Sequence, residues 1–262
     1  MRTYNIFTNE QDAFLEGKAD FLLGFTDESK GDVFTSKELE TTSDGVPTSS
    51  LIIRAVNNLL AFSAKESLNL SYLKDLDAKS VVRRGMDLGH GYELRGNYLI
   101  LAQSDFFQGV ENEDLDGFEA LQSFSNKILL FYAGFLLEAT RRFHVVLSGG
   151  VEMATCLLIA DKLRESVLMR IKHDNVTLAT SKFSEFDKHE RIVETLSFLS
   201  YVPNAIYTDF SFANAELETL QRYNEELIES SVNAGGALAY AFKKDLSNEA
   251  LLEAMELIVY ES

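Results

Sequence analysis

The sequence holds one cysteine, Cys156, so no internal disulfide can form and a reducing compartment suits the chain. Prolines are nearly as scarce: Pro47 and Pro203 are the two present. With a hydrophobic content of 46%, that scarcity argues against disorder. Cations are also in short supply. Lys and Arg total 24 against 41 Asp and Glu, a formal charge of −17. Such a charge opposes the electrostatics of a nucleic-acid binder and disfavours an anionic membrane.

Long apolar runs are missing too. The longest, "ILLFYAGFLL" at 128–137, is about half of what a membrane span needs and reads as a buried helix. The opening "MRTYNIFTNEQDAF" lacks the apolar region of a signal peptide. The expectation is a cytoplasmic globular protein, with residues 1–262 forming one domain large enough for a substantial core.

Two nucleotide motifs are absent: there is no G-x-x-x-x-G-K-[ST] and no G-x-G-x-x-G. His90, His144, His173 and His189 show no metal-ligand spacing, so no metal is expected. Cys156 lies inside an apolar helical run and reads as core packing.

What is present alternates between apolar runs and helical patterns, which points to an α/β protein. The reading is a mainly parallel sheet flanked by helices in a Rossmann-like three-layer arrangement, with a smaller helical lobe from the terminal segments. Strands are predicted at 21–25, 97–102, 143–147, 166–172, 175–180 and 204–210. Helices are predicted over 47–62, opened by Pro47, over roughly 114–140, after "SGG" at 148–150, and around 187–200. The acidic "ENEDLDG" at 111–117 reads as a solvated helix start.

Ligands of such sheets bind at the carboxyl ends of the strands. That selects the loops "GFTDES" (24–29), "AQSDFFQG" (102–109), "SGGVEM" (148–153) and "ATSKFSEFD" (179–187). "VVLSGGVEM" has the form strand, Gly-Gly turn, helix, which serves either as a tight turn or as an anion seat on exposed helix amides. A further stretch, "SSVNAGGALAYAF" at 230–242, puts two glycines into a helical pattern. Each costs roughly 1 kcal/mol against alanine, so something must need a bare backbone there.

Taken in order, these segments resemble nicotinate-nucleotide–dimethylbenzimidazole phosphoribosyltransferases, in their archaeal and cyanobacterial branch. "FLLGFTDES" resembles the family's opening strand and loop, and "VPTSSLIIRAV" its Thr-Pro-Ala-Leu-Ile-Thr-Arg-Ala segment. "VVLSGGVEMA" is similar to Leu-Ala-Gly-Gly-Thr-Gln-Met. "LATSKFSEFD" parallels Ala-Thr-Thr-Arg-Trp-Val-x-x-Asp, with Thr180, Lys182, Phe183 and Asp187 on family positions. "TDFS", Tyr223 and "VNAGGALAYA" follow the carboxyl-terminal pattern around Lys-Glu-Gly-Val-Gly-Ala-Gly-Gly-Ala.

The resemblance implies transfer of ribose phosphate from nicotinate mononucleotide to a benzimidazole base, a step of cobalamin synthesis. Its partners would be a small nucleotide and an aromatic base, with no resident cofactor, and the assembly a homodimer. It implies a nucleotide and phosphate site from Ser104, Ser148, Gly149, Gly150, Thr180, Lys182, Ala234, Gly235 and Gly236. The family's proton acceptor is the Glu of its Gly-rich segment, and the register here puts Ser230 in that place. A hydroxyl is no carboxylate base near neutral pH, which leaves Glu229, one residue away, and Glu152 as the acids to replace it. The family's phosphate loop is reduced to "AQSDFFQG". Two readings follow: a divergent transferase using Glu152 or Glu229, or a non-catalytic relative that binds a nucleotide-like ligand or a partner protein.

Overall fold

Continuously apolar strands need cover on both faces, and this architecture provides it. The structure, a computed structural model, describes residues 1–11, 24–27, 48–60, 65–68, 70–92, 98–102, 126–181, 186–218, 220–221 and 234–261. Its strands are β1 (Arg2–Asn5), β2 (Gly24–Asp27), β3 (Lys65–Leu68), β4 (Tyr98–Ala102), β5 (His144–Ser148), β6 (Val176–Ser181) and β7 (Asn204–Asp209). They form one sheet in the order β1-β7-β6-β5-β4-β2-β3. Every neighbouring pair is parallel except β1 with β7. In register, Leu101, Leu147, Leu178 and Ala205 lie side by side across β4 to β7.

The described helices are α1 (Thr48–Leu60), α2 (Ala78–Gly91), α3 (Lys127–Ala139), α4 (Val151–Lys162), α5 (Phe186–Ser197), α6 (Gly235–Lys243) and α7 (Asn248–Tyr260). Side chains set several of their starts. The Asp77 carboxylate accepts from the Ser80 amide at 2.8 Å, and Ser247 Oγ accepts from the Ala250 amide at 3.1 Å. Asn126 caps α3 by accepting from the Leu129 amide.

Two cores result, one on each side of the sheet. Val145, Leu147, Val176, Leu178 and Ala205 share the first with α2, α3, α4 and α5. Leu51, Ile52, Ala55 and Val56 of α1 share the second with α6, α7, Phe210 and Phe212. On the first side, α2 and α3 meet backbone to backbone. A Cβ at Gly85 would overlap the Phe131 carbonyl, and one at Gly134 the Val82 carbonyl.

This is the expected α/β layering, with differences in detail. The segment 166–172 is not a strand. Arg164–Val167 makes a helical turn, Leu168 adopts a left-handed φ of 53°, and the chain runs unpaired to a short turn at His173–Asn175. The reason is positional: β5 already has β4 and β6 on its edges, and β6 has β5 and β7, so the strands flanking this segment in sequence offer it no ladder. Next, the helix expected from 114 begins at Lys127, because Asn126 has non-helical backbone (φ −87°, ψ 82°); residues 114–125 lie outside the described residues. Finally, the amino-terminal residues contribute the antiparallel edge strand β1, so among the described terminal segments the helices come from the carboxyl-terminal end.

From β2 the chain steps outward to β3, then reverses to β4 on the other side. This places the switch in strand order between β2 and β4, the position where open α/β sheets take ligands. None of the described helices is long and apolar enough to cross a membrane.

Candidate functional site

β5 ends at Ser148, turns through Gly149 and Gly150, and passes directly into α4 at Val151. Its N-cap, Gly150, has no side chain with which to cap α4, and the first-turn amides of a helix have no intrahelical acceptor. The turn is fastened sideways: the Gly149 amide donates to the Ala179 carbonyl of β6 at 3.1 Å. From the other face, α6 brings its amino end to the same place. The Gly236 amide donates to Ser148 Oγ at 2.8 Å, and both groups are buried. Ala234 is fully buried just before it.

This accounts for the first glycine of "NAGGA". A Cβ on Gly235 would overlap the Ala179 carbonyl and the Thr180 Cα. The bare backbone is needed by the end of a central strand. Three segments distant in sequence are thereby joined at the carboxyl ends of β5 and β6: Ser148–Gly150, Ala179–Thr180 and Ala234–Gly236.

Strand alternation divides the side chains of this site. Ser148 pairs with Ala179 and faces α6. Thr180, one residue on, turns to the opposite face, the one that carries Leu178 into the first core. Its Oγ1 is buried and makes no hydrogen bond, as are Thr208 Oγ1 at the end of β7 and Arg54 Nη1 on α1. Arg54 and Thr208 were not singled out by the sequence reading. Arg54 sits in "VPTSSLIIRAV", whose resemblance was the signal that could have picked it out; Thr208 gave only a strand signal.

Glu152 lies half-buried in the first turn of α4, where the helix dipole favours its charge. It is the one proposed carboxylate among the described residues. Glu229, Ser230, Ser104 and Lys182 lie outside them, as do most of the loops after β2 and β4. Three of the four histidines are engaged elsewhere. His144 shares a hydrogen bond with Thr177 Oγ1 at 2.9 Å, His90 approaches Glu138, and His173 packs on the Tyr201 ring. Burial pushes the Cys156 thiol pKa well up and leaves it inert. Among the described residues, no three His, Cys, Asp or Glu side chains gather where a metal could bind.

Chemically, the arrangement offers backbone amides at a glycine-lined helix start, next to a second helix start and orphaned hydroxyls. Such a setting suits an anion with several oxygens.

No family model matches the chain. It is similar to proteins named UPF0284. With one from Methanocaldococcus jannaschii it shares 24% identity over 234 residues, 79% of this chain and 64% of the relative. One from Microcystis aeruginosa is 24% identical over 159 residues, 60% of this chain and 44% of the relative. One from Thermococcus gammatolerans is 25% identical over 218 residues, 83% of this chain and 56% of the relative. The chain thus spans less than two thirds of the length of these relatives. They are archaeal and cyanobacterial, the sources of the branch whose motifs the sequence resembles.

Proposed function

We propose that this protein is a phosphoribosyltransferase-like binder of a nicotinate mononucleotide-type ligand, seated at the carboxyl ends of β4, β5 and β6. The observation that carries the reading is the convergence of the "SGG" turn, the end of β6 and the "AGG" helix start at one end of a parallel sheet. The phosphate would lie against the amides that open α4, beside the Gly149–Gly150 turn and Thr180, with Ser148 tying α6 to that turn from the opposite face and Ser104 and Lys182 supplied by the adjoining segments of sequence. The aromatic base would need a flat apolar slot beside it and a carboxylate, Glu152 or Glu229, to take the azole proton.

A second reading has an observation of its own. The Gly236 amide is already satisfied by Ser148, and Gly235 is filled by β6 backbone, so α6 serves packing at this point. Together with Ser230 in the place of the family base, this favours binding without transfer. In that reading the protein is a non-catalytic relative.

One experiment separates the readings. Nicotinate mononucleotide is titrated calorimetrically into the pure protein, and the complex is then given dimethylbenzimidazole while α-ribazole phosphate is measured by chromatography. Binding with product supports the transferase, with Glu152→Gln and Glu229→Gln naming the base. Binding without product supports the non-catalytic relative. Absence of binding at millimolar ligand refutes both.

A further inference from the structure

A cavity of about 580 Å³ opens at the end of the sheet opposite the candidate site. Its volume falls within the roughly 300–1,000 Å³ of small-molecule sites. It lies where α4 ends and β6 begins, between the Arg164–Asn175 connection and the Ser200–Tyr201 turn. The length of β6, on the order of 16–20 Å, separates it from the site above.

The lining runs against the character of the chain. In a protein of charge −17, this cavity gathers Arg164, Arg170, Lys172 and His173. Its two carboxylates are already engaged. Asp161 accepts from the Ser200 amide and Ser200 Oγ, both at 2.8 Å, and Arg164 stands 4.0 Å from it. Asp174 lies out on the rim, 3.3 Å from His173 Nε2. Among the described residues, the side chains of Arg170 and Lys172 make no hydrogen bond or ion pair. The Tyr201 hydroxyl is buried with no hydrogen-bond partner. Burial first, and the Asp161 carboxylate second, push its pKa up, so it stays protonated as a donor.

Two uncommitted cations and an unused buried donor around one cavity describe a seat for an anion rich in acceptor oxygens. Arg170 can present a guanidinium fork and Lys172 a point charge, the two side-chain modes used for phosphate. We propose that this cavity binds a phosphate-bearing small molecule, held by Arg170, Lys172 and the Tyr201 hydroxyl. The site stands independently of the one at the carboxyl ends of the strands.

The test titrates inorganic pyrophosphate, and in a second arm ATP, into the full chain by calorimetry at low salt. Binding is expected at a Kd of ~1 mM or tighter, weakening as salt rises. Because Arg170 and Lys172 are exposed, the Arg170→Ala/Lys172→Ala double variant should fold as wild type, and its affinity should fall at least about tenfold. Tyr201→Phe removes only a hydroxyl that bonds nothing, and should weaken binding ~3- to 10-fold at unchanged stability. ATP binding more tightly than pyrophosphate extends the site to the nucleoside; equal affinities confine it to phosphate. Nicotinate mononucleotide should bind the double variant as it binds wild type, which keeps the two sites distinguishable. No pyrophosphate or ATP binding at millimolar concentration, or binding that the double variant leaves unchanged, overturns the proposal.

Discussion

Adding one methyl group at Gly235 tests the junction on which the candidate site rests. In Gly235→Ala the new Cβ would coincide with the Ala179 carbonyl and Thr180 Cα, both backbone atoms of β6. No rotamer change can relieve this overlap, and β6 is held by β5 and β7 on both edges. Either α6 shifts off the sheet, stretching the 2.8 Å bond from the Gly236 amide to Ser148, or the strand distorts. Overpacking of this kind costs ~1–3 kcal/mol, and the upper part of that range applies where backbone meets backbone. Against it stands the helix preference for alanine, at most ~1 kcal/mol. The net expectation is a loss of about 2 kcal/mol, or a Tm lower by roughly 4–8 °C for a chain of this size. Urea unfolding followed by circular dichroism would show a lower midpoint at an unchanged slope. Gly91→Ala is the control, since nothing lies within 4 Å of its Cβ position. It should be neutral or slightly stabilising. If Gly235→Ala melts at or above wild type while Gly91→Ala behaves as stated, the close approach of α6 to β6 is wrong.

Ser148→Ala strands the buried Gly236 amide and should cost ~1–3 kcal/mol in the same urea assay; a loss under about 0.5 kcal/mol would mean the bond contributes nothing net. Asp77 has a lowered pKa, chiefly from the Ser80 amide and then the Ser80 hydroxyl. A depressed carboxylate stabilises above its unfolded value and loses that contribution as pH falls through the folded one. The stability difference between wild type and Asp77→Asn should therefore shrink on acidification below about pH 4, and a difference that grows there would contradict the capping geometry. Cys156 should resist a thiol reagent in the native protein and react at once in denaturant; rapid native labelling would place it outside the core.

The legible parts of the fold were those with strong local patterns. After His144, "VVLS" of β5 and "VTLATS" of β6 carry only apolar or small residues, and both strands are wholly buried in the centre of the sheet. The run at 128–137 is apolar on all sides and became α3, buried between α2 and α4. Weak patterns passed unnoticed. β3 reads "KESL", and no apolar alternation marks such an edge strand. α2 carries charges along much of its length, with its buried contacts at Val81, Val82, Gly85 and Gly89. Of the candidate site, "SGG" and "NAGGA" were visible as glycines needing a reason. Their mutual contact, through Ser148 and the end of β6, was not.

The sequence alone determined the α/β class, the central strands and one position, Gly235, where backbone had to stay bare, because periodicity and glycine cost act within a few residues. Tertiary structure decided which segment took each sheet edge, so "SVLMRIK" lost its place and Arg2–Asn5 gained one running antiparallel. It also decided that β6 is what the Gly235 backbone accommodates, and that Thr180 and Ser148 face opposite sides. Edges and faces are contested by segments far apart in the chain. The winner depends on what is already paired or packed there, which no local window contains.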